Sequence, residues 1–376
     1  MSRALPDHDI SCVAHVHSTY SDGTATVAEL LEAGLAAGVD ALLLTDHDSL
    51  AARRAGWEGH HEGVFLLVGE EVSPRRGHYL AFGLREEIPH AALSAAEIAA
   101  AVRAGGGVGF AAHPFSTGGH MLVAPLARQV VRPHPWPALE QAGGTDGVEL
   151  WSLTTDAAES WCTPAEAIRW LRDPRAAVAS GPPARHLRIW DRLSSRRRTP
   201  AIGGLDGHQP GIRVGGRVRS PLSHERTFDL LRTHLVCARP VTGDVDADRA
   251  TLLGALAGGV AWLCSPCVAP ADGARFWTEC PDGSLIAMGG EAEARGGVLR
   301  VRLPRTAQVL VFRDGIPIAA VDGARLDLDL DGPGVYRVEA RVGGRFWLLS
   351  NPVHLRPVSF GGSRVVPRPV GLRSRP

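Results

Sequence analysis

Two periods of apolar residues divide the chain. Thr26-Val27-Ala28-Glu29 has the spacing of a capping box, and Val27, Leu30, Leu31 and Leu35 follow at helical period until Gly38 ends the run. The stretch "DALLLTDHD" at 40–48 then reads as a short apolar strand ending in charged and imidazole groups, and the run before the helix closes on "AHVHSTYSDG" at 14–23. The unit is strand, helix, strand. It recurs in "VFLLVGEEVS", which ends in carboxylates, in the helix "SAAEIAAAVRAGGG" with its glycine stop, and in "VGFAAHPF", which ends at His113. "GVELWS" and "TPAIGGLDGH" read as further strands, the second ending at Asp206 and His208.

Alternating strands and helices imply parallel strands with crossover connections, and continuous apolar runs imply strands buried on both faces. An α/β barrel is the expected fold. Such barrels carry their active site at the C-terminal ends of the strands, where this chain repeatedly places His, Asp and Glu. Between His113 and "GVELWS", a stretch containing Gly118, Gly119, Pro125, Pro133, Pro135 and Pro137 is too irregular for a core element and reads as a surface insertion over the site. Residues 216–258 read as a connecting region with one helix, "DRATLLGALAGG", and Asp248 as its candidate cap. From about residue 259 the runs "LRVRL", "AQVLVF", "RLDLDL", "VYRVEARV" and "RFWLLS" are separated by Asp314-Gly315, Gly332-Pro333 and Gly343-Gly344, which predicts a small antiparallel β-sandwich over 259–357. The Arg-, Pro- and Gly-rich segment 358–376 reads as a disordered tail.

A length of 376 residues fits a large first domain, over 8–215, plus a smaller second one. Forty cationic and forty acidic side chains leave no net charge, which argues against nucleic acid or an anionic membrane as the main partner. Every one of the 40 cations is arginine, so no mechanism can use a lysine. The opening residues contain no apolar leader and no run reaches the roughly 18 residues of a membrane span, so a soluble, cytoplasmic protein is expected. Six cysteines are too sparse for a disulfide scaffold; Cys12, Cys237 and Cys264 read as buried thiols, and Cys264 and Cys267, with Cys280 beyond, as strand-end packing rather than a zinc knuckle.

In a strand, residues i and i+2 share a face, so His15 and His17 would point together at one metal ion. Collecting the strand-end polar residues gives His15, His17, Asp22, His47, Glu71, His78, His113, Asp206 and His208, enough for more than one ion. Imidazoles suit Zn and Fe, while carboxylates also suit Mn and can bridge two ions, so the mixed set points to a multinuclear hydrolytic centre. At these residues the sequence resembles the PHP family, named for polymerase and histidinol phosphatase domains. The matching motifs are "HVHSTYSDG" at 15–23, "TDHD" at 45–48, "GEEVS" at 69–73, His78 in "GHYLAFG", "AHPF" at 112–115 and "GLDGH" at 204–208, in family order across roughly residues 10 to 210.

The resemblance implies a distorted (β/α)7 barrel with three divalent ions, Zn, Mn or Fe. His15, His17, Glu71 and Asp206 would hold the first. Glu71 would bridge to a second completed by His78 and His113, and Asp22, His47 and His208 would hold the third. Glu71 is chosen over Glu70 because the family glutamate stands two residues after the glycine. Glu71, Asp206 and His208 are assigned catalytic as well as ligand roles. Leu205 departs from the family, which usually has serine there. The C-terminal "ARFWTE" and "WLLSNPVHLRP" look like the β-rich extension of the CehA/McbA group.

These readings converge on a metal-dependent phosphoesterase acting on a small phosphorylated molecule or nucleotide, with hydroxide from the metal centre attacking phosphorus in line. An amide, carbamate or carboxylic-ester hydrolase using the same centre is the alternative, and a metal-stabilised binding module without catalysis is the reading of another class. A carbamylated-lysine amidohydrolase is disfavoured by the lack of lysine. Arg75 and Arg76, after the Glu71 strand, are candidate substrate-phosphate contacts. Asp46 and Asp48 would either orient His47 or cap a turn. "RLSSRRR" at 192–198, with Arg185 and Arg188, reads as a solvated helix end rather than a nucleic-acid site, and His60, His61, His120, His134 and His186 read as surface residues.

Overall fold

The computed structural model describes residues 5–123 and 126–357; the segment read as a disordered tail lies outside the described residues. It is a mixed α/β fold with a large connected sheet. The strand His8–Val16 pairs in parallel with Ala41–His47, which pairs in parallel with Val64–Val72. Leu42, Leu43 and Leu44 are all fully buried, which is why this segment is apolar without alternation. The helix between the first two strands, Val27–Ala36, carries both hydrogen bonds of the Thr26–Glu29 capping box and buries Val27, Leu30 and Leu31, although Leu35 is left exposed.

The pairing continues through His78–Phe82, Val108–Ala112, Gly147–Ser152 and Ala201–Gly204. Just beyond the last of these, Leu205 N donates to Ala14 O at 2.9 Å, Gly207 N to His15 O at 3.0 Å and His17 N to Gly207 O at 3.0 Å, so the series returns to its first strand. Within this series one strand departs from the parallel expectation. His78–Phe82 runs antiparallel to both neighbours because residues 73–77 leave no room for a crossover.

The proline-rich stretch before Gly147 is more ordered than its sequence suggests. It contains a hairpin of Gly119–Val123 with Leu126–Val131, and it buries Trp136 and Ala138 in the core. The connecting region also holds a sheet strand, Arg232–Cys237, antiparallel to His8–Val16 on one side and to Ala261–Cys264 on the other. Its helix, Val245–Gly258, is capped by Asp244 rather than Asp248. Asp248 is instead buried and accepts from Thr242 N, Gly243 N and His60 Nε2, each at 2.8 Å.

The remaining strands carry on from Ala261–Cys264, which pairs with Arg345–Ser350. The runs read as two strands, "LRVRL" and "AQVLVF", form one strand, Gly297–Arg313, paired antiparallel with both Ile316–Leu330 and Gly334–Val342. Asp314 and Gly315 have φ of 51° and 80°, as a two-residue hairpin turn requires. Among the described residues no helix is long and apolar enough to cross a membrane.

Polar groups fasten these strands to the first part of the chain. Asn351 accepts from Ala201 N at 2.7 Å and donates to Ala201 O and Ala261 O. Arg337, only 3% exposed, binds Asp191 through Nε at 2.7 Å and Nη2 at 3.0 Å, Glu339 at 2.7 Å, and lies 4.0 Å over the Phe312 ring. Asp9 receives His234 at 2.8 Å, Arg275 at 2.8 and 2.9 Å and Gly273 N at 3.0 Å.

Removing one partner of a buried ionic network strands the others, so Arg337→Ala is expected to lower unfolding stability by about 3–5 kcal/mol in urea titrations. Arg217→Ala, which loses an exposed contact 3.7 Å from Glu32, should change it by less than about 0.5 kcal/mol. Burial alone would raise the Asp9 carboxyl, but hydrogen bonds from His234 and Arg275 outweigh it and hold the group far below the ordinary carboxylate range. A depressed folded value means stability present above the unfolded pKa, about 3.9, and lost as pH falls through it toward the folded value. Asp9→Asn should therefore flatten the acid limb of the stability–pH curve below about pH 5.

Candidate metal centre

Nine strand-end residues converge at one end of the sheet, and Glu71 is at their middle. Its carboxylate is fully buried. Oε2 lies 3.2 Å from His15 Nε2, 3.3 Å from His17 Nε2 and 3.2 Å from His47 Nδ1, while Oε1 lies 3.0 Å from His78 Nδ1 and 3.2 Å from His113 Nε2. Strand register produces this: Glu71 stands opposite His47 in one pairing and opposite Leu80 in the other, with His78 two residues before Leu80 on the same face. Glu70 points the other way, accepts from Ile88 N at 2.8 Å, and is pushed up to about 7 by burial.

His15 and His17 converge as their spacing suggests, but not through a regular strand. The register shifts between Ala14 and Val16, and His15 has φ 60°. His113 (φ 29°) and Asp206 (φ 51°) share this backbone state, which non-glycine residues rarely occupy and which clusters at functional sites. Asp206 Oδ1 stands 3.5 Å from His15 Nε2 and 3.6 Å from His17 Nε2, and Thr155 Oγ1 donates to its Oδ2. Asp22 Oδ1 is 3.2 Å from His208 Nε2, 3.7 Å from His47 Nε2 and 3.9 Å from His17 Nδ1, so His17 lies between the Asp22 group and the Glu71–Asp206 group.

The donors gather as three clusters: His15, His17, Glu71 and Asp206; His17, Asp22, His47 and His208; and His47, Glu71 and His78, each with its ligand atoms within 4.8 Å of one another. His113 joins through Glu71 Oε1. The first cluster fits a cation. His15 Nε2, His17 Nε2 and Glu71 Oε2 are buried atoms with no hydrogen-bond partner among the described residues. The four imidazole–carboxylate separations, 3.2–3.6 Å with Asp206 Oδ1 included, match the edges of about 3.3–3.6 Å of a tetrahedron with 2.0–2.2 Å bonds.

Charge follows the same geometry. Burial opposes ionisation of Glu71 and Asp206, yet the imidazoles around them, His15 first, hold both carboxyls well below the ordinary range. In return, and against burial, neighbouring carboxylates raise His15 well above its usual value, His113 to about 8 and His208 to about 9. The cluster thus gathers positive charge as protons where divalent cations would compete for the same lone pairs.

Several functional side chains escape sequence reasoning. Glu149, 1% exposed, contacts His15 Nδ1 through Oε1 at 2.8 Å and accepts from His113 N through Oε2 at 2.7 Å. A Cβ on Gly204 would stand 2.0 Å from Glu149 Oε1, which makes glycine obligatory there. The signal was a lone carboxylate inside the apolar run "GVELWS"; Thr155 had none, and Ser73, whose Oγ is 2.7 Å from His47 Nδ1, closed the motif "GEEVS" without a role assigned to it. Asp46 accepts from Ser18 N, Ser18 Oγ and Ser21 Oγ, each at 2.7 Å, fixing the loop after His17 rather than His47. Asp48 acts on His47 indirectly, accepting from Ser73 N at 2.8 Å.

Other candidates fall elsewhere. Arg75 and Arg76 are exposed with no hydrogen bond or ion pair among the described residues. The arginines of "RLSSRRR" are structural ties: Arg192 and Arg196 bind Glu140, Arg197 the carbonyls of Leu139 and Gln141, and Arg198 that of Ala257. Cys264, Cys267 and Cys280 are free thiols outside the described metal-donor clusters. His186 is buried, and His60 binds Asp248, so neither is a free surface group.

No family model matches the chain. The curated phosphoribosyl 1,2-cyclic phosphate 1,2-diphosphodiesterase of Eggerthella lenta is 40% identical over 82 residues, 20% of this chain and 31% of that protein. The match therefore spans less than a third of that relative's length. Among solved structures, a two-domain Bacteroides vulgatus protein containing a predicted PHP-like metal-dependent phosphoesterase is similar over 94% of this chain and 98% of its own, at 15% identity and a TM-score of 0.40. An amidohydrolase of Chromobacterium violaceum with bound sulfate and no metal is similar over 56% of this chain and 91% of its own, at 16% identity and a TM-score of 0.31.

A carboxylate behind a metal-binding imidazole fixes its tautomer and raises its basicity, and losing it typically costs 10–100-fold in metal affinity. Glu149→Gln, which keeps shape but not charge, is expected to weaken binding of the tightest ion by about tenfold or more in chelator-competition titrations, with little change in fold by circular dichroism.

Proposed function

We propose that the chain is a metal-dependent phosphoesterase of the PHP type, acting on a small phosphorylated metabolite or nucleotide. The observation that carries the reading is the buried Glu71 carboxylate, whose two oxygens face separate sets of imidazoles and so suit a bridge between ions. The identity shared with the Eggerthella lenta diphosphodiesterase supports phosphoester chemistry. In this reading the ring of strand pairings over 8–215 is a distorted (β/α)7 barrel, and residues 259–357 are a β-sandwich extension of the CehA/McbA kind. His15, His17, Glu71 and Asp206 would hold one ion, Glu71, His78 and His113 a second, and Asp22, His47 and His208 a third.

Divalent ions held there would supply Lewis acidity toward a phosphoryl oxygen and a nucleophile at neutral pH. The chain's own groups prepare that chemistry. Glu149 holds His15 with Nε2 turned inward, Thr155 occupies Asp206 Oδ2 and leaves Oδ1 to the cluster, and Ser73 steadies His47. Burial of Glu71 and of both histidines of the first motif keeps these donors dry, which strengthens every charge interaction with the reacting group.

The test is a panel of phosphomonoesters, phosphodiesters and carbamates assayed after reconstitution with Mn, Zn or Fe, with metal counted by elemental analysis. Turnover of phosphate esters is expected with two or more ions per chain, and His15→Ala should reduce it more than about a hundredfold, beyond what loss of an outer partner costs. Turnover of carbamates alone, or fewer than two ions at saturation, would overturn the reading.

A further inference from the structure

His134 stands outside the three donor clusters but beside them. Its ring centroid is 4.7 Å from that of His78 and 6.1 Å from that of His113, the two imidazoles that share Glu71 Oε1. It belongs to the proline-rich insertion, and that insertion is fixed here rather than loose. His134 N donates to Ser116 Oγ at 3.0 Å. Two residues on, buried Trp136 stacks on Tyr79 at 4.9 Å, with its backbone N on Pro114 O at 3.3 Å and its Nε1 on Gly144 O at 2.8 Å. Gly77, the residue before His78, has φ 70°, and a Cβ there would stand 2.9 Å from Pro135 O, so the insertion lies directly against the strand that carries His78.

A half-buried imidazole with a fixed backbone thus stands against the His78–His113 side of the donor set. We infer that His134 is a substrate-contacting residue, hydrogen-bonding an anionic oxygen of a phosphoryl group held on the His78–His113 side of the centre. The ligand class rests on the phosphoesterase reading; the contact itself rests on the position of the ring.

The experiment uses the full chain loaded with metal, inorganic phosphate as the probe in calorimetric titration, and elemental analysis on every variant. Wild type is expected to bind phosphate. His134→Ala should bind it about tenfold more weakly at the same metal count, the loss of one hydrogen bond to a charged acceptor, and should raise KM for phosphate esters more than it lowers kcat. His134→Gln, which keeps an N–H donor, should recover part of the affinity and covers the case in which the alanine variant folds poorly. Unchanged phosphate affinity in both variants, or no phosphate binding by wild type, would overturn the inference. A fall in metal content would also overturn it, since His134 would then be a metal ligand. Phosphate binding that depends on His134 in a protein inert toward phosphate esters would sink the phosphoesterase reading and leave this assignment standing.

Discussion

A carboxylate buried away from water must be met by positive charge or hydrogen bonds, and the Glu71 side chain is met by five imidazoles. Everything around it follows from that requirement. The parallel register that aligns His47 with Glu71, the antiparallel return that brings His78 back past it, and the backbone closure at Gly207 that brings in His15 and His17 all serve to surround one anion. The surrounding carboxylates raise the proton affinity of His15, His113 and His208, whereas burial lowers that of His47. Divalent ions held there would compete with protons for the same lone pairs.

The cost of this convergence is carried by the backbone. His15, His113 and Asp206 occupy the left-handed region, at about 1–3 kcal/mol each, and persist only where neighbours over-determine them. Those neighbours are identifiable. Glu149 ties the His15 ring to the His113 backbone, Thr155 ties Asp206 to the helix Leu153–Ser160, and Glu159 on the same helix receives Thr117 N and Gly118 N, fixing the loop after His113. One short helix thus anchors two strand ends and the insertion between them.

Much of the first 210 residues was legible because buried parallel strands print as apolar runs and their C-terminal ends print as His, Asp and Glu. The Thr26 helix rests on periodicity that local sequence carries, whereas the choice of Glu71 over Glu70 rests on the family resemblance, and His15 meets His17 through an irregular backbone that strand alternation does not describe. What was not legible depends on distance in sequence. Glu149 is 134 residues from His15, and nothing local marks it as the partner of an imidazole. Strand direction at His78 was hidden in the length of a connection, and the insertion's order comes from Trp136 finding Tyr79, a contact that proline content obscures. Asp248 had the composition of a cap, but Asp244 starts the helix because Asp248 is already engaged by Thr242, Gly243 and His60.

Whether Glu71 would bridge two ions, as proposed, is tested most directly by anomalous diffraction from crystals grown with Mn or Zn. Separate anomalous peaks are expected on the two sides of the Glu71 carboxylate, one against Oε2 with His15, His17 and Asp206, the other against Oε1 with His78 and His113. A single peak remote from Glu71, or peaks that Glu71 does not touch, would contradict that proposal.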